Sequence, residues 1–230
     1  MHNSWGLVAL MSQKSERYLP ALRFRWLTPL YDPVLRWGMR ESGFKHHLVE
    51  QLVLRPGMSV MDLGCGTGTL TIMIKQCRPD AEVYGIDGDS QVLAIASEKA
   101  VETGVTVQWD LGLAYDLPYR EGSFDRVVSS LVFHHLTMPD KRRTLAEVFR
   151  VLRPGGELHI LDFGKPYNLY TRLAASVIRH FEETAAQLDG QLPGMLASSG
   201  FINLDEIRHF TTIFGPLAAL RAVKPTGAGQ

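Results

Sequence analysis

The rhythm of hydrophobic and polar positions changes twice along this chain. Between Ser59 and about Asp162, short apolar runs alternate with longer stretches of helical spacing. The runs Ser59–Leu63, Val83–Ile86, Val105–Trp109, Phe124–Ser130 and Glu157–Phe163 have the length of strands buried on both faces of a parallel sheet. Helices are predicted between them over Leu70–Cys77, Ser90–Thr103 and Met138–Leu152. Val92, Ile95, Ala96 and Lys99 fall at helical spacing in the second, and Pro154-Gly155-Gly156 stops the third. Repeated βα units of this kind imply a doubly wound α/β sheet with right-handed crossovers.

The flanks read differently. Residues 1–55 are rich in aromatics (Tyr18, Phe24, Trp26, Tyr31, Trp37, Phe44) and arginine. Pro29 and Pro33 suit the first turns of short helices, and a longer helix is predicted near Phe44–Leu54, closed by Pro56-Gly57. Residues 164–191 read as amphipathic helix, with Leu169, Leu173, Val177 and Phe181 four apart on one face. After Gly200 the runs Phe201–Phe210 and Thr211–Val223 return to strand character. Their short connection predicts an antiparallel hairpin closing the sheet edge and brings the strand count to seven.

Composition narrows the function. Lys+Arg and Asp+Glu balance at 24 each, so no global field draws the chain to nucleic acid. The two cysteines, Cys65 in a glycine loop and Cys77 at a helix end, fit reduced intracellular thiols rather than a disulfide framework. No stretch approaches the roughly 20 apolar residues that span a bilayer. The apolar start Trp5–Met11 lacks a basic n-region and a cleavage site. It is read as an extension, with Met11 an alternative start, and the expected location is cytoplasmic.

The chemistry concentrates in Asp62-Leu63-Gly64-Cys65-Gly66-Thr67-Gly68, which follows a predicted strand and opens a helix. Glycines there allow tight turning and close approach to a ligand outside the carboxyl ends of the strands. A dinucleotide fingerprint requires a third glycine where Thr69 stands, and Asp62 would repel a pyrophosphate. The same carboxylate suits a cation such as the ammonium of a methionine moiety, which favours S-adenosylmethionine over NAD. Asp87, ending the second strand, can accept from both ribose hydroxyls of either ligand. The plain alternative makes the loop a tight βα turn and Asp87 a helix cap.

Together with Gly85-Ile86-Asp87, Leu117-Pro118-Tyr119, Ser123-Phe124-Asp125 and Arg150-Val151-Leu152-Arg153-Pro154-Gly155-Gly156, this loop closely resembles the class I S-adenosylmethionine-dependent methyltransferases over about residues 55–163. The branch it looks most like includes quinone, sterol, phospholipid and other small-molecule methyltransferases. The resemblance implies a Rossmann-like, mostly parallel seven-stranded sheet with an antiparallel C-terminal strand. It also implies a helical lid over residues 1–55 and a methyltransferase domain over 56–230 with a cap insertion at about 164–191.

Carried over by position, Gly64, Cys65, Gly66, Thr67 and Gly68 would surround the methionine part, with Asp62 near its amino group. Asp87 would hold the ribose, Gly88 would lie beside the adenine, and Ser130 and Leu131 would face the cofactor. Relatives carry Gly-Asp-Ala ahead of Leu-Pro, where this chain has Gly112-Leu113-Ala114. The adenine contact therefore falls to backbone and apolar packing at Leu113 and Ala114, since Asp110 lies three residues early.

Methyl transfer from a sulfonium is an in-line displacement that positioning alone accelerates, so a base is needed only where the acceptor must lose a proton. His134 and His135 are the candidates, against the reading of one as a buried hydrogen-bonded spacer and the other as a loop residue. Tyr31 matches a Tyr-Asp pair on the family's lid, or else belongs to an aromatic packing surface. Phe163, Tyr167, Tyr170, His180 and Phe181 would cap the pocket of a small-molecule or lipid-like acceptor, though plain packing of that helix on the sheet explains most of them. An amphipathic helix of this type also suits peripheral contact with a membrane surface.

Two thiols are too few to trap arsenite, and no metal cluster is expected. The activity expected is methyl transfer leaving S-adenosylhomocysteine, by a monomer or homodimer. The alternatives are an NAD-dependent oxidoreductase and a non-catalytic partner subunit of the same fold.

Overall fold

The computed structural model describes residues 41–178, 184–213 and 215–227. Its strands are β1 (Ser59–Leu63), β2 (Glu82–Asp87), β3 (Gln108–Leu111), β4 (Phe124–Ser130), β5 (Leu152–Phe163), β6 (Ile202–Thr212) and β7 (Gly215–Val223). They form one sheet in the order β3-β2-β1-β4-β5-β7-β6. Pairing is parallel from β3 through β5, while β7 runs antiparallel to both β5 and β6. The predicted hairpin is present, with β7 inserted beside β5 and β6 left at the edge. Strand order reverses between β1 and β4, which opens a crevice at their carboxyl ends.

Alternate residues of the central strands feed two cores. Met61, Val127 and Ile160 face α4 (Met138–Val151) and α7 (Leu192–Ser198), where Leu145, Val148 and Leu196 are buried. Val60, Val128 and Leu161 face α1 (Glu41–Gln51) and α2 (Thr69–Cys77), through Phe44, Leu48, Leu70 and Ile74. The remaining helices are α3 (Ser90–Glu102), α5 (Leu169–Ile178) and the short α6 (Ala185–Leu188). Among the described residues no helix is long and apolar enough to cross a membrane.

Three expectations shift. The third strand begins at Gln108 rather than Val105, because Val105 is taken by the end of α3. Gly104 is left-handed there (φ 67°), and the Val105 N–H reaches back to the Ala100 carbonyl at 3.0 Å. The fifth strand starts at Leu152, directly after α4. It takes five residues to advance from Leu152 to Glu157 where β4 takes two from Phe124 to Arg126, so Pro154-Gly155-Gly156 forms a bulge inside it.

The helix expected within 164–191 is real as α5, but it turns a different face inward. Asn168 accepts the Thr171 N–H at 2.8 Å, and the Thr171 hydroxyl oxygen accepts the Tyr167 and Asn168 N–H groups. This cap sets the register that buries Thr171 and Ala175 and leaves Leu169 75% and Leu173 62% exposed. The side chains of Val177 and Phe181 lie outside the described residues.

Two motif segments are bolted together by α4. Arg150 donates to the carbonyls of Tyr119 and Leu117 at 2.7 and 3.1 Å, and Glu147 accepts the Leu117 N–H at 2.9 Å. Leu117-Pro118-Tyr119 is thereby held beside the end of β3.

Candidate cofactor and acceptor site

The glycine loop is built onto the end of β2. The N–H groups of Gly64 and Cys65 both donate to the Ile86 carbonyl, at 2.8 and 3.0 Å. One residue on, the Gly66 N–H donates to Asp87 Oδ2 at 2.9 Å, while Asp87 Oδ1 accepts the Asp89 N–H at 3.0 Å. The cap of α3 is Asp89, whose side chain accepts the Gln91 N–H at 2.8 Å. Asp87 is therefore not the helix cap that the plain alternative required. Burial pushes its carboxyl above the usual range, against the N–H donors of Gly66 and Asp89.

The glycines have separate reasons. Gly64, Gly66 and Gly68 all have positive φ (70°, 54° and 74°). A Cβ on Gly64 would lie 2.4 Å from Val132 Cγ2, and one on Gly68 would lie 2.6 Å from the Trp109 ring. A Cβ on Gly66 would meet nothing within 4 Å. The loop is thus packed against protein at both ends and open at its middle. Trp109 is a support the sequence reading overlooked: its ring lies over Gly85 as well as Gly68, next to its strand partner.

Beneath the loop, Asp62 is 1% exposed and accepts the Thr71 hydroxyl at 2.6 Å. Burial raises its carboxyl to about 6, with the Thr71 hydroxyl and Lys45 pulling the other way. Burial, then the charges of Asp62 and Asp87, also push the Cys65 thiol up, so it is a packing residue rather than a nucleophile. Lys99 Nζ donates to Thr67 Oγ1 at 2.9 Å, pinning the loop to α3.

Across the crevice, the Ser130 hydroxyl is buried without a hydrogen-bond partner among the described residues. Leu131 has a left-handed φ of 60°, and its N–H bonds the Leu161 carbonyl at 2.8 Å. The open middle of the loop, the Asp87 carboxylate and the orphaned Ser130 hydroxyl fit a ligand with an aminocarboxylate and a ribose. Gly112 N–H bonds the Asp87 carbonyl at 3.0 Å, which brings Leu113 and Ala114 beside β2. Asp110 accepts the Tyr119 hydroxyl at 2.7 Å. Gly88 follows Asp87 directly at the end of β2.

His134 and His135 lie in a single 3-10 turn after β4, with ring centroids 3.9 Å apart. His134 is 7% exposed; its Nδ1 is 2.9 Å from Asp162 Oδ1, and its N–H donates to Asp162 Oδ2 at 3.3 Å. Burial disfavours the Asp162 charge, but the His134 imidazole outweighs it and holds the carboxyl below its usual range. Phe163 packs edge-on against the His134 ring at 5.0 Å. Asp162 was legible as an acid at the carboxyl end of a predicted strand, the place where such sheets carry their sites.

Of the expected cap residues, Phe163 adjoins His134. The Tyr170 hydroxyl donates to the Thr212 and Ile213 carbonyls at 3.2 Å, and the Tyr167 hydroxyl pairs with Thr211. These two tyrosines brace the β6–β7 turn. Tyr31, His180 and most of the expected lid lie outside the described residues.

Known proteins agree with this architecture. A methyltransferase-domain family model matches residues 60–156. An uncharacterized methyltransferase of Synechocystis sp. is 37% identical over 164 residues, 70% of this chain and 74% of that protein. The demethylmenaquinone methyltransferase of Thermus thermophilus is 34% identical over 146 residues, 62% of this chain, which spans just under two thirds (65%) of that enzyme. The YcgJ protein of Bacillus subtilis has the same fold, with a TM-score of 0.64 at 19% identity over 80% of this chain and 98% of that one. The seven-stranded order with one antiparallel insertion, the docked glycine loop and these relatives lead to one conclusion: the chain belongs to the class I S-adenosylmethionine-dependent methyltransferases.

Proposed function

We propose that this protein transfers a methyl group from S-adenosylmethionine to a small or lipid-like acceptor bearing an oxygenated ring, releasing S-adenosylhomocysteine. The observation that carries the reading is the Gly66–Asp87 hydrogen bond. It holds a ribose-binding carboxylate beside a loop whose open middle admits a ligand and whose buried acid suits an ammonium. An NAD site would have to place a pyrophosphate near Asp62, which charge opposes.

In this reading Asp62 lies nearest the amino group, with Gly64 to Gly68 around the methionine chain. Asp87 accepts from the ribose hydroxyls, Gly88, Leu113 and Ala114 lie along the adenine, and Ser130 and Leu131 face the cofactor. The cofactor supplies an electrophilic methyl; the protein aligns the acceptor atom in line with it and excludes water. His134, oriented by Asp162, is the group suited to take an acceptor proton, with His135 stacked on it. The ring-bearing acceptor class rests on the demethylmenaquinone and 2-phytyl-1,4-naphtoquinone methyltransferases among the relatives.

The test is titration calorimetry with S-adenosylhomocysteine, with NAD as control, followed by transfer of radiolabelled methyl to reduced naphthoquinones and phenols. Micromolar binding of the first ligand alone is expected. Binding of NAD, or of neither, overturns the proposal.

A further inference from the structure

A cleft opens beside the His134–Asp162 pair, at the carboxyl end of β5. Asp162 and Phe163 form one side, Leu192 and Leu220 another, and exposed Lys165 stands at the rim. Gln187 of α6 also lines it. This side chain is 2% exposed, and neither its Nε2 nor its Oε1 has a hydrogen-bond partner among the described residues. A buried amide with both ends unmade is costly, and native interiors keep such groups where a ligand or water completes them. Besides Asp162 and Gln187, the polar side chains of the lining are Lys165 and Glu206.

We propose that Gln187 is the specificity-determining residue of the acceptor subsite and reads a neutral ring carrying a hydroxyl and a second oxygen. Its Oε1 accepts from the hydroxyl and its Nε2 donates to the other oxygen. Phe163, Leu192 and Leu220 supply the apolar faces on which a flat ring rests. Asp162, kept charged by its bond to His134, and Glu206 outnumber Lys165 among the lining charges, so the cleft disfavours an anionic acceptor. The cleft shares Asp162 with His134, so a ring held by Gln187 lies next to the proposed base. Discrimination of this type is strong, because a ligand lacking the hydroxyl leaves the buried amide unpaired. The inference rests on the methyltransferase reading for the identity of the subsite, though not for the chemistry that Gln187 selects.

The experiment is calorimetry on the S-adenosylhomocysteine-loaded full chain with two probes, 2,3-dihydroxynaphthalene and 2,3-dimethoxynaphthalene. The parent protein is expected to prefer the dihydroxy probe by about tenfold or more, one hydrogen bond's worth of selectivity. Gln187→Leu should abolish that preference while S-adenosylhomocysteine affinity stays within about twofold, which also certifies the fold; Gln187→Ala is the second variant should the first not fold. A preference that survives both substitutions, an equal loss of both probes, or a parent that binds neither overturns the proposal. Failure of the parent to bind S-adenosylhomocysteine overturns the methyltransferase reading instead, and the same titrations without it still test Gln187.

Discussion

Asp87 and Gly66 lie twenty-one residues apart in sequence and are joined by a 2.9 Å hydrogen bond from the Gly66 N–H to Asp87 Oδ2. That bond makes one unit of a strand end and a glycine loop, so the carboxylate serves the loop before any ligand arrives. Asp87→Ala should therefore weaken S-adenosylhomocysteine binding by about a hundredfold or more, two charge-assisted hydrogen bonds' worth. Asp87→Asn keeps an acceptor for Gly66 and should lose less. Equal, undiminished affinity in both variants, read by calorimetry, would remove Asp87 from the ribose.

The three loop glycines should separate when each is replaced by alanine. Gly66→Ala adds a Cβ to open space and should lower stability by only about 1 kcal/mol, from its left-handed backbone, yet abolish cofactor binding. Gly64→Ala and Gly68→Ala drive a Cβ into Val132 and Trp109 and should destabilise by a further 1–3 kcal/mol. Urea unfolding and calorimetry on the three variants read the two effects apart. Matching stability losses would mean the loop is packed throughout.

Much of this was legible in the chain, and the misses have physical causes. Strand runs such as Ser59–Leu63 were clear because buried parallel strands are rich in apolar residues, and Ser59–Leu63 is buried at every position. Val105 misled because its side chain reads as strand while its N–H completes the α3 cap. Leu169 and Leu173 misled because their spacing is helical, whereas the inward register is set by the Asn168 cap and not by apolarity. In the site, the glycine loop and Asp87 were visible as a motif. Trp109 and Gln187 were not, and Asp162 was marked only by its place at a strand's carboxyl end, because their roles depend on pairings that only the folded sheet creates: β2 against β3, α6 over the end of β5, and β4 against β5.

His134 and Asp162 yield a prediction that separates chemistry from binding. Asp162→Asn should leave S-adenosylhomocysteine affinity within about twofold and slow methyl transfer by about 10²-fold, as expected for loss of general-base orientation. The Asp162 carboxyl lies below its unfolded value when folded. Its stabilising contribution is thus present above about pH 4 and is lost as pH falls through the lower folded value. The substituted protein should accordingly lose less stability in acid than the parent does. An unchanged transfer rate would return His134 to the role of a buried spacer.

Asp62 gives the opposite sign. Its carboxyl is raised from an ordinary 3.8 to about 6 by burial under the loop. The folded protein therefore binds a proton more tightly than the unfolded chain. The stability this supplies is complete below about pH 4 and disappears as pH rises through 6. Above pH 6 the buried charge is a burden on the free protein, and it is the charge that an ammonium would neutralise. Asp62→Asn, which can still accept the Thr71 hydroxyl, should melt higher than the parent at pH 8, by a margin of order 1–3 kcal/mol, and the two should converge near pH 4. The same substitution should weaken S-adenosylhomocysteine binding by tenfold or more at pH 8. Parent affinity should fall about tenfold for each pH unit below 6, because binding must then expel a proton, and the slope should vanish in Asp62→Asn. A parent affinity flat from pH 8 to 5 would mean that the ammonium is held by some other group.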